Sequence, residues 1–408
     1  MKKSDRVWAL IDCDCFFVSC ERLRYPFYNN KALCVAWDIV IAKSYEAKKF
    51  WIKTWTPIWE AKKILKDDFN VLSPDHIFYR KVSDNLHTFL KEYFDRIEQF
   101  SIDEFFVDIT DYIDLRWAKD YSQLVDTLKY KIAKNIWIPV SIWVSNTRLL
   151  AKTLSDLWKP HWNTVAIDPI RLSEIFIKLK LEDLPFLWIK TVEKLEWCET
   201  ALDFVSLSYE FVKNTLKWYW LKVWLELNWF DAIDFSAKDF PKSIERSYSF
   251  NPNFTSDKSI LESHLSLNLE NAWKDMFEKS LLCNEIKVFL KDRDFNIYKK
   301  KIKLDNPSND RKELFAKSLN LLADMIQDWT EYRSTWVSFS SLISKKEFAW
   351  LFYDDSQKQK EKLWSTINSL NNKYWKSSVR SASSIDNKRS KKTKDRYSLL
   401  YLWTVKSS

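Results

Sequence analysis

A chain of 408 residues with no glycine and 23 tryptophans lacks the usual means of turning its backbone. Average usage of about 7% would supply roughly 29 glycines in this length. Helix C-termini, tight turns and close backbone contacts need positive φ or a missing Cβ, and only glycine supplies both without strain. Another residue must therefore stand at those places, and the surplus of Trp points to it. Trp51 follows the helical-looking run Tyr45 to Phe50 at a helix C′ position, and Trp55 lies in Thr-Trp-Thr-Pro. Trp158 and Trp162 bracket Lys-Pro-His, and Trp188 lies in Leu-Trp-Ile-Lys between two helical patterns. We read these as glycine positions, written as Trp because the gene uses a codon that its own cell reads as Gly. A genuinely Trp-rich protein is the alternative. Trp59, in Pro-Ile-Trp-Glu-Ala within a helix pattern, is expected to be authentic. Why no glycine at all remains has no account in this reading.

An apolar share of 46% can fill real cores, and the length predicts two to four domains. The formal charge of +9 is concentrated at the end, where residues 376–408 carry nine basic and two acidic side chains. A Ser- and Lys-rich terminus without apolar periodicity reads as an arm that contacts a polyanion, or as a solubility tail. Cys13, Cys15, Cys20, Cys34, Cys198 and Cys283 form no CxxC pair and the four histidines are scattered, which argues against structural zinc. Asp12 and Asp14 interrupt the N-terminal apolar stretch, so neither a signal peptide nor a membrane span is expected. Reduced thiols in the cytoplasm fit best.

Val7 to Val18 predicts a buried strand with Asp12 and Asp14 on one face, and Phe100 to Ile109 a second strand carrying Asp103 and Glu104. Helical periodicity follows in Ile41–Phe50, Trp59–Leu65 and Val82–Ile97. Leu181–Leu207 and Val212–Leu227 predict a small helical module. Beyond it come alternating runs such as Glu285 to Lys291, a helix over Asn309–Asp328 and a strand over Ser334–Leu342. The fold class expected is α+β. Acidic residues in two apolar strands are costly unless a cation compensates them, and an oxygen-only set favours Mg²⁺ over zinc. Two such ions suit phosphoryl displacement.

Four motifs occur in order: Asp12-Cys-Asp-Cys-Phe-Phe-Val-Ser-Cys-Glu21, Ile41-Ala-Lys-Ser-Tyr-Glu-Ala-Lys-Lys-Phe50, Ser101-Ile-Asp-Glu-Phe-Phe-Val-Asp-Ile-Thr110 and Val144-Ser-Asn-Thr-Arg-Leu-Leu-Ala-Lys152. In order and spacing they resemble the Y-family translesion DNA polymerases of the impB/mucB/samB type. The resemblance covers residues 5–240 well and 241–385 more loosely. It also places Trp51, Trp55, Trp143, Trp158, Trp162 and Trp188 where that family carries Gly.

The resemblance implies a right-hand polymerase. Residues 1–165 would be palm and fingers, 166–240 a thumb with a helix-hairpin-helix, 241–345 a little finger that binds DNA, and 346–408 a clamp-binding-like segment, helix and basic tail. Asp12, Asp103 and Glu104 match the metal-binding carboxylates, with the carbonyl of Cys13 as a further ligand of two Mg²⁺ ions. Phe17 matches the steric gate that rejects a 2′-hydroxyl. Tyr45, Lys48 and Lys159 match groups that grip the triphosphate of a dNTP, Lys48 standing where Arg is commoner and losing its bidentate fork. Asp14 and Asp108 belong to the motifs without a metal role, and Phe105 stands where a small residue is commoner. Leu184 to Leu195 resembles a helix-hairpin-helix, so a glycine at position 188 and Lys190 would approach a DNA phosphate, with a plain helical hairpin in a core as the lesser alternative. Lys242 to Phe250, with Arg246, resembles the start of the little finger. Leu351 and Phe352 resemble a peptide that binds a sliding clamp, and also read as a strand end.

The implied activity is low-fidelity translesion synthesis on primer-template DNA, tied to DNA repair and the SOS response, with accessory subunits as possible partners. A catalytically impaired relative that binds DNA and the clamp is one alternative. Another palm-type phosphoryl transferase, such as a nucleotide cyclase, is a second.

Overall fold

The computed structural model describes residues 5–345 and Thr366, apart from 67–69, 114–117, 158–163, 186–194, 196, 217, 234–240 and 251–252. Two compact units, 1–237 and 238–408, divide the chain beside the boundary expected at 240/241. The tail, Leu351 and Phe352 lie outside the described residues, as do Trp158, Lys159, Trp162, Trp188 and Lys190.

The first unit runs β1 (Trp8–Cys13), α1 (Phe16–Arg24), β2 (Leu33–Ala36), β3 (Val40–Lys43), α2 (Tyr45–Lys48), α3 (Ile58–Leu65), β4 (Asn70–Leu72) and α4 (His76–Lys91). It continues through β5 (Ile97–Gln99), β6 (Glu104–Asp108), α5 (Tyr121–Ile136), β7 (Val140–Ser145), α6 (Arg148–Leu157), β8 (Thr164–Val165), α7 (Pro169–Lys178), α8 (Ala201–Val205), α9 (Tyr209–Thr215) and α10 (Trp218–Leu227). Its main sheet has the order β5-β6-β1-β7-β8, and β3-β2-β4 form a small second sheet.

Several sequence-based boundaries shift. The strand expected over Val7–Val18 ends at Cys13, because a left-handed turn at Cys15 (φ 46°) starts α1. Asp14 thus sits in the turn and does not share a strand face with Asp12. Ile41–Lys43 belong to a strand, and only Tyr45–Lys48 are helical, capped by the Ser44 hydroxyl accepting from the Ala47 N–H. The α4 helix starts at His76, where the Asp75 carboxylate accepts from the Phe78 N–H, rather than near Val82.

Side chains alternate across β1, so Trp8, Leu10 and Asp12 share one face. Their cross-strand partners are Asp108, Phe106 and Glu104 on β6 and Ser145, Trp143 and Ser141 on β7. Trp8, Leu10, Phe106 and Trp143 on this face continue without a break into the core of α6–α10, down to Ile233. Palm-like and thumb-like residues therefore share one core. Phe105 points to the other face, fully buried beside the His87 ring, so the bulk that the resemblance made doubtful is accommodated.

A buried ion network ties this core together. The Arg148 guanidinium, 3% exposed, donates to Glu98 Oε1 at 2.7 Å, to the Asp231 carboxylate and to the Ile233 carbonyl, and lies 4.6 Å from the Trp8 ring centroid. Removing one member of such a network strands the others. Arg148→Met is expected to lower unfolding free energy by about 3–5 kcal/mol in urea titrations, with no change at the cavity described below.

The second unit contains β9 (Ser243–Ser249), α11 (Lys258–Glu278), β10 (Leu281–Asp292), β11 (Ile297–Ser308), α12 (Arg311–Ala323), β12 (Tyr332–Ser340) and β13 (Ile343–Ser344). The antiparallel sheet β11-β10-β12-β9 buries Ile286, Val288, Leu290, Val337 and Phe339 against both helices. The opposite face carries Lys287 and Lys291 with the exposed Lys299, Lys301 and Lys303 around a stacked Phe289–Trp336 pair.

Of the positions read as glycine, Trp51 and Trp55 fall in left-handed turns. Among the described residues eleven have positive φ, and Trp51, Trp55, Trp137, Trp229 and Trp329 are five of them, at 63°, 75°, 64°, 75° and 65°. Trp229 sits at the C′ position of α10, where the Phe230 N–H donates to the Leu225 carbonyl and the Trp229 N–H to that of Glu226, as in a Schellman cap. Trp137 ends α5 in the left-handed region. All but Trp229 leave the indole largely in water, up to 98% exposed at Trp329. Trp59, by contrast, lies within α3 with Lys63 over its ring. Trp143 is buried in β7, and its indole N–H, like those of Trp8 and Trp224, has no hydrogen-bond partner.

Candidate active site

The open end of the β1–β6–β7 face carries the acids. Asp12 and Glu104 are directly paired across the strands, and the Cys13 N–H donates to the Asp103 carbonyl at 2.9 Å. Cross-strand partners have Cβ atoms about 4.5–5.5 Å apart, so the three acids, remote in sequence, are neighbours. A cavity beside them is lined by Asp12, Cys13, Asp14 and Asp103 from one part of the chain and by Lys43, Tyr45, Lys48 and Thr54 from another. Phe16 and Phe17 also line it. One set is acidic and the other basic, which suits a polyphosphate whose charge is shared between metal and lysine.

The acidic set is buried, Asp12 being 5% exposed. The Cys13 thiol reports the charge around it: burial first, then the carboxylates of Asp103 and Asp12, push it well above the ordinary range. Oxygen-only donors at the cavity fit a hard divalent cation. Among the described residues no three acid, histidine or cysteine side chains form a ready-made metal site, because Glu104 is held by other partners. Glu104 does not line the cavity. Its Oε1 accepts from Lys152 Nζ at 2.6 Å and its Oε2 from the Ser101 hydroxyl at 3.1 Å, while that hydroxyl also reaches Asp103 Oδ1 at 2.5 Å. Burial opposes charge on Lys152, but Glu104, Asp156 and Asp12 more than offset it and hold the ammonium above the usual lysine range.

In the basic set Lys48 Nζ lies 4.2 Å over the Tyr45 ring, and Lys43 Nζ donates to Thr54 Oγ1 at 2.9 Å. Burial, then Lys48, lowers the Lys43 ammonium from its ordinary value. Burial, and next the charge of Asp14, push the Tyr45 phenol up. Asp14 is buried and also lines the cavity, and its carboxylate accepts from Ser141 Oγ at 2.8 Å and from Tyr45 Oη at 3.3 Å, so it orients the Tyr45 hydroxyl. Phe17 stacks on Tyr79 with centroids 4.6 Å apart and an interplanar angle of 19°, and His76 meets its edge. Tyr79 Oη donates to the buried Glu21 at 2.5 Å, which fixes the platform beneath Phe17.

Sequence reasoning brought Asp12, Cys13, Asp103, Phe17, Tyr45 and Lys48 to one cavity. It missed Lys43, Tyr79, Glu21 and Lys152. Lys43 and Lys152 lie inside quoted motifs, whereas Tyr79 and Glu21 are recognisable only once α1 and α4 pack together. Arg246 needs correction. It lies on the helix-covered face of the second unit, paired with Asp275 of α11, because it shares the alternation of the buried Ile244.

Residues 11–156 match the impB/mucB/samB family, and residues 241–349 its C-terminal domain. The chain belongs to that family. Relatives include the DNA polymerase IV of Oceanobacillus iheyensis, 27% identical over 384 residues that cover 90% of each chain, and that of Clostridium acetobutylicum, 27% identical over 353 residues that cover 82% of this chain and 84% of the other. Among solved structures, a Y-family DNA polymerase chimera shares the fold with a TM-score of 0.70 at 23% identity, and the insertion ternary complex of Dbh DNA polymerase with 0.56 at 21%. Each match covers 83% of this chain and 99% of the other. The α+β fold is therefore that of the Y-family polymerases. No helix among the described residues is long and apolar enough to cross a membrane.

Proposed function

We propose that this impB/mucB/samB family protein is a DNA-directed DNA polymerase of the Y family that carries out translesion synthesis on primer-template DNA in the cytoplasm. The observation that carries the reading is one cavity lined together by Asp12, Asp103, Phe17, Tyr45 and Lys48. Each set of side chains suits one part of an incoming nucleotide.

Lys48, Lys43 and the Tyr45 hydroxyl bind the triphosphate, with Lys159 as a further contact. Phe17, backed by Tyr79, occupies the space beside the sugar C2′ and excludes a 2′-hydroxyl. Asp12, Asp103 and the Cys13 carbonyl would hold Mg²⁺ at the nucleotide, and Glu104 would join them on the primer side. Bound there, divalent ions stabilise the attacking 3′-oxygen and the leaving pyrophosphate. The chain's own part is to orient the α-phosphate and to hold three acids together at one strand end. In the second unit, the lysines of the uncovered β10–β11 face contact the template backbone. The segment around Leu351 and Phe352 docks on a sliding clamp, and residues 184–195 grip a phosphate through their hairpin. The domain limits 1–165, 166–240, 241–345 and 346–408 belong to the same reading.

Primer extension with each dNTP on undamaged and abasic templates tests the proposal. Incorporation opposite the lesion supports it. DNA binding without any extension would favour the impaired, DNA- and clamp-binding relative. Phe17→Ala is expected to raise the ratio of ribonucleotide to deoxyribonucleotide incorporation by about 100-fold, measured by single-turnover kcat/KM, since a site that rejects a group by steric clash loses discrimination with the ring.

A further inference from the structure

Lys152 joins two carboxylates. Its Nζ lies 2.6 Å from Glu104 Oε1 and 3.1 Å from Asp156 Oδ1, one turn further along α6. The Lys152 and Glu104 side chains are only 13% and 9% exposed, whereas Asp156 is 40% exposed. The ammonium thus has two acceptors, one facing the acid cluster and one facing solvent. Glu104 pairs with Asp12 across the strands but does not line the cavity that Asp12 and Asp103 share.

We infer that Lys152 is a positioning residue that competes with a divalent cation for Glu104 and passes to Asp156 when the cation claims that carboxylate. The inference deepens the polymerase reading and rests on it for the nature of the cation. A carboxylate buried without a counter-charge is costly, so Glu104 needs a cation at every stage. Lys152 supplies one until the hard ion arrives. Asp156 then gives the displaced ammonium a partner already within reach, and the exchange leaves no charge uncompensated.

The two neighbours of this latch make opposite predictions. Lys152→Met removes the competing cation, so the free protein is expected to bind Mn²⁺ about tenfold more tightly, within the range by which groups around metal ligands tune affinity. Asp156→Asn removes the second acceptor and confines the ammonium to Glu104, so Mn²⁺ binding is expected to weaken severalfold. Loss of packing alone does not produce shifts of opposite sign. Mn²⁺ binding is read by electron paramagnetic resonance on the full chain without DNA or nucleotide, with Asp103→Ala as the reference for sites elsewhere. Circular dichroism checks that each variant is folded. Tighter binding by Lys152→Met together with weaker binding by Asp156→Asn supports the inference. Unchanged or weaker binding by Lys152→Met, or unchanged or tighter binding by Asp156→Asn, overturns it while the metal site stands. Equal binding by the parent and Asp103→Ala overturns the metal site and the latch together.

Discussion

Asp103→Ala is expected to extend a primed template at least about 100-fold more slowly than the parent, more than the loss when a group behind a metal ligand is removed. Affinity for the primer-template should change little, with the same salt dependence. The reason is geometric: Asp103 lines the nucleotide cavity, and its carbonyl accepts from the Cys13 N–H. Alanine keeps that backbone bond and deletes only the carboxylate. The lysines proposed to contact DNA lie in a separate unit and are untouched. Single-turnover extension and an equilibrium titration on the same duplex read the two effects. A variant that loses both together, or neither, would remove Asp103 from the reacting centre.

Replacing Trp51, Trp55, Trp137 and Trp229 by Gly in one variant is expected to stabilise the first unit by several kcal/mol, because a left-handed residue with a Cβ costs about 1–2 kcal/mol. Part of the gain is offset by the larger unfolded-state freedom of Gly. The sites are separate turns, so their effects should add. Trp59→Gly supplies the opposite sign. It is the second residue of α3, with Lys63 packed over its ring, and should lower stability by up to about 1 kcal/mol, the cost of Gly in a helix interior. Urea midpoints for the two variants against the parent decide the matter. Parallel shifts of the same sign would mean that the turns tolerate indole and that the glycine reading of these positions is wrong. The same reading anticipates relief at Trp143, whose buried indole N–H is unpaired.

Much of the site was legible because its chemistry is local in sequence. Asp12 to Glu21 carries an acid and the Phe17 ring on one strand-turn-helix, and Ser44 to Lys48 carries a cap and the two side chains proposed to bind triphosphate in one turn. Such segments keep their meaning wherever the fold puts them. The missing glycines were legible for the same reason, since a turn leaves its mark on its own residues. Element ends were less so. The apolar run Val7–Val18 looks continuous, and the Cys15 turn that breaks it has no composition signal.

What sequence alone determined is the inventory: which acids, which ring, which lysines, and the alternation that puts Asp12 and Glu104 on a buried face. Packing decided their states. The Phe17 ring acquires a fixed platform only because α4 brings Tyr79 beneath it and α1 brings Glu21 to the Tyr79 hydroxyl. Arg246 is a surface cation by composition and a buried ion-pair member by register. Glu104 is a ligand by motif, yet α6 sets Lys152 against it. Charge is a property of a residue, whereas the partner that neutralises it is a property of the fold, because an ion's energy in a protein depends on neighbours within a few ångströms that the chain order does not specify.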